Sequence, residues 1–444
     1  MGYAVKILNC NGECASCYER AIREKGLPKY DMDSILRTID RIIEQESKKE
    51  KPQRCNHINL HGGEPLIVSL EDLEKLLKKI YDFWEYTGIQ TNGTLITDEH
   101  IELFKKYKTN IGISLDGDTA EMNRGRWNYL ERDDKFIQEK TDLVLENMKK
   151  CRDAELDLNC IIVLRKYNAI DERLPGLLRF IEQLYDEFKI KYIRTIPCTV
   201  YDEKRRAEEE LTNKELAFAF KILESLKWNL PDLIWQPYHD IIDMMLGYAD
   251  ATCVFNECDP FHTRAERAIN YCGSITNCLR SGGAVEGIQL LSDDGYSLER
   301  YVMLQQIPQD LEGCKDCRYW HICYGACPGT GIDNDWRNRG RFCEAWKDFF
   351  AHIENRLKAM MPNLLLSPEF YPQKSMPELV QKSLRIQNGS SYKQQARFNI
   401  ESLKEEAIKR QVIPRQSGSH GDKPHGDSDD PEWRKAHPEW KGKK

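Results

Sequence analysis

From residue 3 to about residue 200, short apolar runs alternate with longer runs whose apolar residues recur at helical spacing. Short apolar runs predict buried β-strands, and apolar residues three and four positions apart predict amphipathic helices. The predicted strands are Tyr3–Leu8, His57–Leu60, Tyr86–Gln90, Asn110–Leu115, Leu158–Leu164 and Ile190–Pro197. The predicted helices are Asp31–Glu46, Leu70–Phe83, Asp98–Tyr107, Asp133–Ala154 and Pro175–Phe188. This alternation predicts parallel βαβ units with right-handed crossovers.

The six predicted strands favour an α/β fold, a partial (β/α)6 TIM-like barrel over residues 1–210. In such barrels the reactive groups lie at the C-terminal ends of the strands. The pattern then predicts a helical bridge over residues 211–250, a cysteine-rich domain over 251–350 and a helical extension over 351–412. Residues 413–444 have almost no aliphatic side chains, so we expect a disordered tail.

Composition and charge exclude several classes of protein. The chain is 40% hydrophobic and 31% charged, as globular proteins are, and its net charge of −7 argues against a nucleic-acid partner. No apolar run approaches the roughly 18–20 residues that span a bilayer, and the N-terminus lacks the pattern of a signal peptide. We therefore expect a cytoplasmic protein with no membrane partner.

The 16 cysteines change this picture, because thiols in the cytoplasm are kept reduced and so many of them favour metal or cluster ligation. Four stand alone and are expected to be small, buried apolar side chains: Cys55, Cys151, Cys160 and Cys198. The others form two groups, one within Cys10–Cys17 and one between Cys253 and Cys343.

The first group has the spacing C-x3-C-x2-C, at Cys10, Cys14 and Cys17, directly after the first predicted strand. Three thiolates in one loop can hold three corners of a 4Fe–4S cluster, and an iron without a protein ligand is an open, reactive position. A zinc site or coincidence is the alternative. Two further motifs end predicted strands, His61-Gly-Gly-Glu-Pro65 and Gln90-Thr-Asn-Gly93.

The three-cysteine spacing resembles the defining motif of the radical S-adenosylmethionine (SAM) superfamily. The resemblance implies a [4Fe–4S] cluster on Cys10, Cys14 and Cys17, with the amino and carboxylate groups of SAM on the fourth iron. Ser16 stands where that family usually has an aromatic residue, and Tyr18 follows the third cysteine instead.

The same resemblance implies a set of SAM-binding residues. The Gly62–Pro65 segment looks like the family's GGEP motif for the amino group, Ser114 and Asp116 are candidates for the ribose hydroxyls, and Arg126 is a candidate for the carboxylate. Asn168 is a further candidate. The full implied set is Tyr18, Gly62, Gly63, Glu64, Pro65, Thr91, Asn92, Ser114, Asp116 and Arg126.

The second cysteine group resembles the SPASM domain, an extension of peptide-modifying radical SAM enzymes that holds two auxiliary [4Fe–4S] clusters. The resemblance implies a distal cluster on Cys314, Cys317, Cys323 and Cys343. It implies a proximal cluster on Cys327, Cys278, Cys258 and Cys253, with Cys272 as the substitute for Cys253, or an iron left open. Zinc-ribbon proteins also pair C-x2-C motifs, but unequal spacing and the lack of paired histidines favour clusters.

These resemblances imply three [4Fe–4S] clusters, SAM as cofactor, and a 5′-deoxyadenosyl radical that abstracts hydrogen from a substrate. Sulfatase-maturing relatives carry an aspartate base just after the G-x4-C cysteine, where this chain has Leu279. We therefore favour a maturase that crosslinks a ribosomally made precursor peptide through a thioether, ether or carbon–carbon bond. A sulfatase-maturing enzyme, a small-molecule radical SAM enzyme and a zinc-binding interaction protein are the alternatives.

The expected partners are the precursor peptide and a reductant such as flavodoxin or ferredoxin. Only nine residues precede Cys10, so leader binding is expected on the barrel, on residues 362–412 or on a separate protein. The tail repeats a Pro-Glu-Trp segment at Pro431 and Pro438, which is either a solvated tail or a substrate-like segment.

Overall fold

A computed structural model describes most of the barrel region and the C-terminal cysteine region. The described residues are 2–7, 9–23, 30–51, 55, 57–127, 133–246, 267–276, 279–280, 299–360, 362 and 366. The predicted ligands Cys253, Cys258 and Cys278, most of the predicted helical extension and the whole predicted tail lie outside these residues.

The described chain is organised around one sheet. Its strands are β1 (Tyr3–Lys6), β2 (Ile58–His61), β3 (Thr87–Thr91), β4 (Thr109–Ser114), β5 (Leu158–Leu164), β6 (Tyr192–Pro197), β7 (Ile234–Gln236), β8 (Arg267–Ile269) and β9 (Ile275–Thr276). The sheet order is β7-β6-β5-β4-β3-β2-β1-β8-β9. Only the β8–β9 pair is antiparallel among these described strands, since every other neighbouring pair runs parallel. The parallel α/β fold predicted from the sequence is therefore confirmed.

Helices connect and flank these strands. They are α1 (Arg20–Arg23), α2 (Met32–Ser47), α3 (Leu70–Trp84), α4 (Asp98–Lys106), α5 (Asp134–Asp153), α6 (Lys166–Ala169), α7 (Leu174–Asp186), α8 (Glu203–Glu209), α9 (Asn213–Glu224), α10 (Leu226–Asn229), α11 (Tyr238–Met245), α12 (Glu299–Gln306), α13 (Trp320–Cys323) and α14 (Cys343–Met360). In the part of the chain that the structure describes, no helix is both long and apolar enough to cross a bilayer.

Capping side chains and apolar stripes explain why the long helices form where they do. Ser69 accepts a hydrogen bond from the backbone N–H of Asp72 at the start of α3, and Thr97 accepts one at the start of α4. Such caps satisfy backbone donors that a helix leaves unpaired at its first turn. One face of α3 is fully buried against the sheet, through Leu73, Leu76, Leu77 and Ile80. The sheet and its helices thus enclose one continuous apolar core.

The cysteine-rich C-terminal part packs on the barrel through α14. Phe220 of α9 stacks on Trp346 and Phe349 of α14, with ring centroids 4.7 and 5.0 Å apart. Asn213 is the first residue of α9, and its side-chain oxygen accepts a hydrogen bond from the backbone N–H of Ala345 at 3.0 Å. Aromatic pairs at these distances stabilise an interface beyond the area they bury. The two cysteine groups are therefore carried on one connected body.

Candidate active site

The loop that carries Cys10, Cys14 and Cys17 follows β1, at the C-terminal end of the sheet. The loop after β4 holds it in place: the N–H of Ala15 donates to the carbonyl of Gly125 at 2.9 Å, and the N–H of Glu13 donates to that of Trp127. All three cysteines are free thiols of intermediate exposure. The loop therefore lies where the sequence predicts it, at the C-terminal ends of the parallel strands.

A cation lies against the cysteine loop. Arg23 of α1 donates to the carbonyl of Gly12 at 3.0 Å and to the sulfur of Cys17 at 3.6 Å. Burial raises the pKa of Cys10 to about 12 and that of Cys17 to about 11. A thiol in such a place becomes a thiolate when a metal binds it. Three thiols of one loop beside a guanidinium are a donor set that suits an anionic iron–sulfur cluster.

The Gly62–Pro65 loop after β2 lies beside the cysteine loop. Gly62 and Gly63 have φ angles of 69° and 55°, in the left-handed region that favours glycine. Glu64 is fully buried, and its carboxylate accepts hydrogen bonds from the Thr91 hydroxyl and the Asn92 N–H, both at 2.7 Å. Burial raises the pKa of this carboxyl group. Pro65 begins a short 3-10 helix, and Glu64 caps it through the N–H of Leu66 at 3.0 Å.

A buried ion pair joins the cysteine loop to the glycine loop. Lys6 Nζ lies 3.0 Å from Glu19 Oε1, and both side chains are 2% exposed. The other oxygen of Glu19 accepts a 2.6 Å hydrogen bond from the N–H of Gly63. Lys6 also donates to the carbonyl of Leu279 at 2.8 Å, the residue that follows Cys278 in the chain. Neither Lys6 nor Glu19 was among the residues predicted from the sequence, because neither falls in a motif.

The loop after β3 is tied to the same group. Asn92 donates to the side-chain oxygen of Asn11 at 2.8 Å, and Asn11 donates to the Thr94 hydroxyl at 2.8 Å. Together with the Glu64 bonds, these contacts bring the first three strand-end loops together. Thr91 and Asn92, both predicted to contact SAM, thus form hydrogen bonds to residues of the two neighbouring loops in this structure.

A buried charge network lies under the cysteine loop. Arg165, directly after β5, is fully buried, 3.1 Å from Asp116 Oδ2 and 2.9 Å from Glu209 Oε2. It also reaches the Ser16 hydroxyl at 3.4 Å, and Arg126 Nη1 lies 3.7 Å from the other oxygen of Asp116. Two carboxylates and two guanidiniums thus compensate one another out of contact with water.

Two predicted SAM-contact candidates belong to this region. The side chain of Asp116 is completely buried, and one carboxylate oxygen accepts a 2.9 Å bond from the Val163 N–H. Asn168 is also fully buried and donates to the Asp116 and Val163 carbonyls, at 3.0 and 2.9 Å. Ser114 is half-buried, and its hydroxyl accepts a 2.8 Å hydrogen bond from Gln90. The contacts of these three residues with SAM stay predictions.

Tyr18 lies between two cations. The ring is half-buried, with Lys6 Nζ and Arg280 Cζ each 5.8 Å from its centroid. Arg280 also donates to the Tyr201 hydroxyl at 3.1 Å. Cations at such distances are attracted to the face of an aromatic ring. Tyr18 therefore connects the cysteine loop to the segment that follows Cys278.

We expect Gly62→Ala to disrupt this loop. A Cβ atom at Gly62 would lie 3.0 Å from both Glu19 Oε1 and Lys6 Cγ, and its left-handed φ adds about 1–2 kcal/mol for a residue with a side chain. Gly176→Ala in α7 is the control, because its Cβ would meet nothing closer than 3.9 Å. Chemical denaturation should show a lower free energy of unfolding for Gly62→Ala alone. Equal stability of the two variants would contradict the described contact.

A second group of thiols surrounds a cavity near α13 and α14. Four cysteines line this cavity: Cys314, Cys317, Cys323 and Cys343. These are the four residues predicted for the distal cluster. Cys327, predicted for the proximal cluster, does not line it. Cys272 is exposed in the β8–β9 turn, where its sulfur lies 3.2 Å from the Ser274 hydroxyl.

The surroundings of this cavity suit an anionic group. Lys347 lines it, and Arg339, 12% exposed, lies close enough to lower the pKa values of Cys314 and Cys343. Burial outweighs these cations and raises the pKa of Cys314 to about 12. Within the described ranges, no three His, Cys, Asp or Glu side chains are placed to hold a single metal ion. Four thiols around one cavity are the donor set that a [4Fe–4S] cluster takes.

The four cysteines that stand alone in the sequence are buried, as predicted. Cys55 is 4% exposed, Cys198 is 1% exposed, and Cys151 and Cys160 are completely inaccessible. Cys55, Cys151 and Cys160 belong to the apolar core, whereas Cys198 is buried beside the charged side chains of Arg165 and Glu209.

Comparison with known proteins agrees with this geometry. A family model described as the radical SAM superfamily matches residues 5–181. The cysteine-type anaerobic sulfatase-maturating enzyme of Clostridium novyi is 22% identical over 374 residues, which cover 79% of this chain and 93% of that enzyme.

Two solved structures share the fold. "Native anSMEcpe with bound AdoMet" has a TM-score of 0.61, 19% identity, and 82% and 99% coverage of this chain and that one. "Native anSMEcpe with bound AdoMet and Cp18Cys peptide" has a TM-score of 0.59, with the same identity and coverage.

The fold and the matched domain define the chain as an enzyme with a radical SAM domain. More particularly, it is a homologue of the anaerobic sulfatase-maturating enzymes along most of its length. A radical SAM domain implies a [4Fe–4S] cluster and SAM, and the cysteine loop after β1 suits that cluster.

Proposed function

We propose that this enzyme is a peptide maturase that uses SAM to install a crosslink in a ribosomally made precursor peptide. The main support is the arrangement of thiols on one connected body. Cys10, Cys14 and Cys17 share the loop after β1, at the C-terminal end of the sheet, and four more thiols line a separate cavity. A peptide partner is further supported by the peptide bound in a structure of the same fold.

In this proposal Cys10, Cys14 and Cys17 hold the reactive cluster, and their loop is fixed by the loop after β4. When bound, a reduced [4Fe–4S] cluster and SAM supply a 5′-deoxyadenosyl radical that takes a hydrogen atom from an unactivated carbon. The protein's own task is to orient the reactants and to exclude water. The buried ion pair of Lys6 and Glu19 keeps the glycine loop against the cysteine loop.

The remaining candidate SAM contacts line the same end of the sheet. Gly62 and Gly63 present backbone groups with no side chain in the way. Ser114 is the last residue of β4, and Arg126 lies in the loop after it. Arg126 keeps one guanidinium nitrogen without a hydrogen-bond partner although it is 6% exposed. A carboxylate that reached it would meet a fixed, desolvated cation.

Two auxiliary clusters complete the proposal. Cys314, Cys317, Cys323 and Cys343 would hold the distal one. Cys327 would join the proximal one, together with Cys278, Cys258 and either Cys253 or Cys272. The exposed position of Cys272, bonded to Ser274 in a turn, favours Cys253 for that place. Such clusters would take up the electron that remains after the crosslink forms.

The residue after Cys278 favours a crosslink over formylglycine. Leu279 has no group that can accept a proton, and its carbonyl is engaged by Lys6 at 2.8 Å. Arg280, the next residue, donates to Tyr201 and lies on the face of Tyr18. A general base must lie within hydrogen-bond reach of its proton, and this segment offers a cation there instead of a carboxylate. A sulfatase-maturing activity is the second candidate, because the homologues carry that name.

One experiment separates the two candidates. The reconstituted enzyme would be incubated anaerobically with SAM and reductant, either with a sulfatase-derived cysteine or serine peptide or with a peptide encoded beside its gene. Mass spectrometry should show an encoded peptide lighter by two hydrogen atoms and no formylglycine in the sulfatase peptide. Formylglycine in the sulfatase peptide would overturn the crosslinking proposal and establish the second candidate.

A further inference from the structure

Arg300 of α12 is completely buried, and no sequence motif contains it. All its hydrogen bonds in the described chain go to backbone carbonyls. The acceptors are Trp336 at 2.8 Å, Tyr324 at 3.0 Å, Gly325 at 2.9 Å, Ala326 at 3.1 Å and Asn338 at 3.5 Å. Among the residues described, no carboxylate forms an ion pair with it. A buried guanidinium whose described partners are all neutral carbonyls would be stabilised by an anion placed near it.

Three of the five carbonyls that Arg300 binds, those of Tyr324, Gly325 and Ala326, belong to a turn in the cavity wall. Tyr324, Gly325 and Ala326 all have positive φ angles, of 48°, 80° and 62°. L side chains rarely adopt this conformation, so the turn needs support from its surroundings. Gly325 and Ala326 line the four-thiol cavity, and the turn lies between Cys323 and Cys327. Arg300 therefore binds the backbone of residues that line the cavity.

The helix that carries Arg300 also contacts the thiols directly. Leu304 packs with Cys314 and Trp320 in a small cluster, and its carbonyl accepts a 2.6 Å hydrogen bond from the N–H of Cys314. Arg300 therefore lies on the helix that packs against the thiol site, in surroundings of low polarity that strengthen the field of a charge.

We propose that Arg300 is the positioning residue of the four-thiol site and the buried counter-charge of the anionic cluster held there. Its carbonyl bonds fix the strained turn between Cys323 and Cys327, and its charge offsets that of the thiolates. This inference rests on the proposed function, in that the four thiols hold an iron–sulfur cluster. Because a positive charge beside a cluster favours its reduced form, Arg300 raises the reduction potential of that cluster.

The test uses the full-length chain with Cys10, Cys14 and Cys17 replaced by alanine, so that the remaining iron belongs to the C-terminal cysteines. Iron and sulfide per chain and a redox titration followed by electron paramagnetic resonance are measured after anaerobic reconstitution. Adding Cys314→Ala to this background identifies the distal signal. If Cys314→Ala leaves iron and spectrum unchanged, the cluster assignment itself fails, and that result is distinct from a failure of the Arg300 inference.

Arg300→Gln should lower the iron content and shift the remaining distal signal to a more negative potential. Arg337→Gln is the matched control, because it removes the same charge from the segment whose Trp336 and Asn338 carbonyls Arg300 binds. The side chain of Arg337 is 48% exposed and is paired with Asp335. Arg300→Lys keeps the charge and should keep the distal potential near that of the unchanged residue, with lower cluster occupancy.

Equal distal potentials in Arg300→Gln and Arg337→Gln would overturn the inference. If Arg300→Gln binds no distal iron, it has no distal potential to measure, and the Arg300→Lys variant then provides the test. A distal signal at the original potential in Arg300→Lys supports the counter-charge, and the loss of distal iron in that variant too would overturn it.

Discussion

Replacing Cys14 by alanine is expected to reduce SAM cleavage to the level measured without enzyme. Cys14 is the middle thiol of the loop after β1, whose backbone is fixed on both sides of it by Gly125 and Trp127. Two thiolates on a rigid loop cannot hold a cubic cluster that needs three corners, so the site loses the group that supplies the electron. The measurement is 5′-deoxyadenosine formed from SAM under reducing conditions, by chromatography.

The matched control for this prediction is Cys151→Ala. Cys151 is also a free cysteine, but it is completely buried in α5, within the apolar core and away from the cysteine loop. We expect this variant to lose some stability through the small cavity it creates, and to keep its SAM cleavage once folded. Substantial 5′-deoxyadenosine from Cys14→Ala, or its loss from folded Cys151→Ala, would contradict the assignment of the reactive loop.

Replacing Arg165 by methionine is expected to lower the free energy of unfolding by about 3–5 kcal/mol, the usual cost of leaving buried charges without a partner. Arg165 is fully buried against Asp116 and Glu209, at 3.1 and 2.9 Å. Methionine keeps most of the length of the side chain but none of its charge. Asp116 then keeps the more distant Arg126, and Glu209 loses its 2.9 Å ion pair with Arg165. Urea unfolding followed by circular dichroism measures the loss.

Lys78→Met provides the comparison for Arg165→Met. Lys78 pairs with Asp82 at 2.6 Å, but both side chains are more than half exposed, at 60% and 57%. An exposed ion pair gains little over hydration, so its removal should leave the unfolding midpoint unchanged. A similar stability of the two variants would show that the network under the cysteine loop is hydrated and not buried.

The repeating unit of the barrel could be predicted from the sequence because buried parallel strands read as continuous apolar runs. Each of the six predicted strands lies within two residues of an observed one, and Leu158–Leu164 coincides with β5. The additional strands β7, β8 and β9 are two or three residues long, too short for an apolar pattern to stand out. The cysteine spacings predicted both thiol groups that the structure describes.

The residues that support the site could not be predicted, because their partners are distant in the sequence. Glu19 bonds Gly63, 44 positions away, and Lys6 bonds the carbonyl of Leu279, 273 positions away. Only the folded sheet brings these residues together. The same reason applies to Asp116. Its position in a strand-end motif predicts a ligand contact, and in the structure it also pairs with the buried Arg165, which directly follows the next strand.

The most direct test of the account is the spectrum of the reconstituted protein when SAM is added. Anaerobic protein with Cys10, Cys14 and Cys17 intact would be loaded with iron and sulfide, reduced, and examined by electron paramagnetic resonance. The account predicts that SAM changes the signal of one cluster, and that this change is absent when the three cysteines are replaced by alanine. An identical spectrum with and without SAM in the intact protein would contradict it.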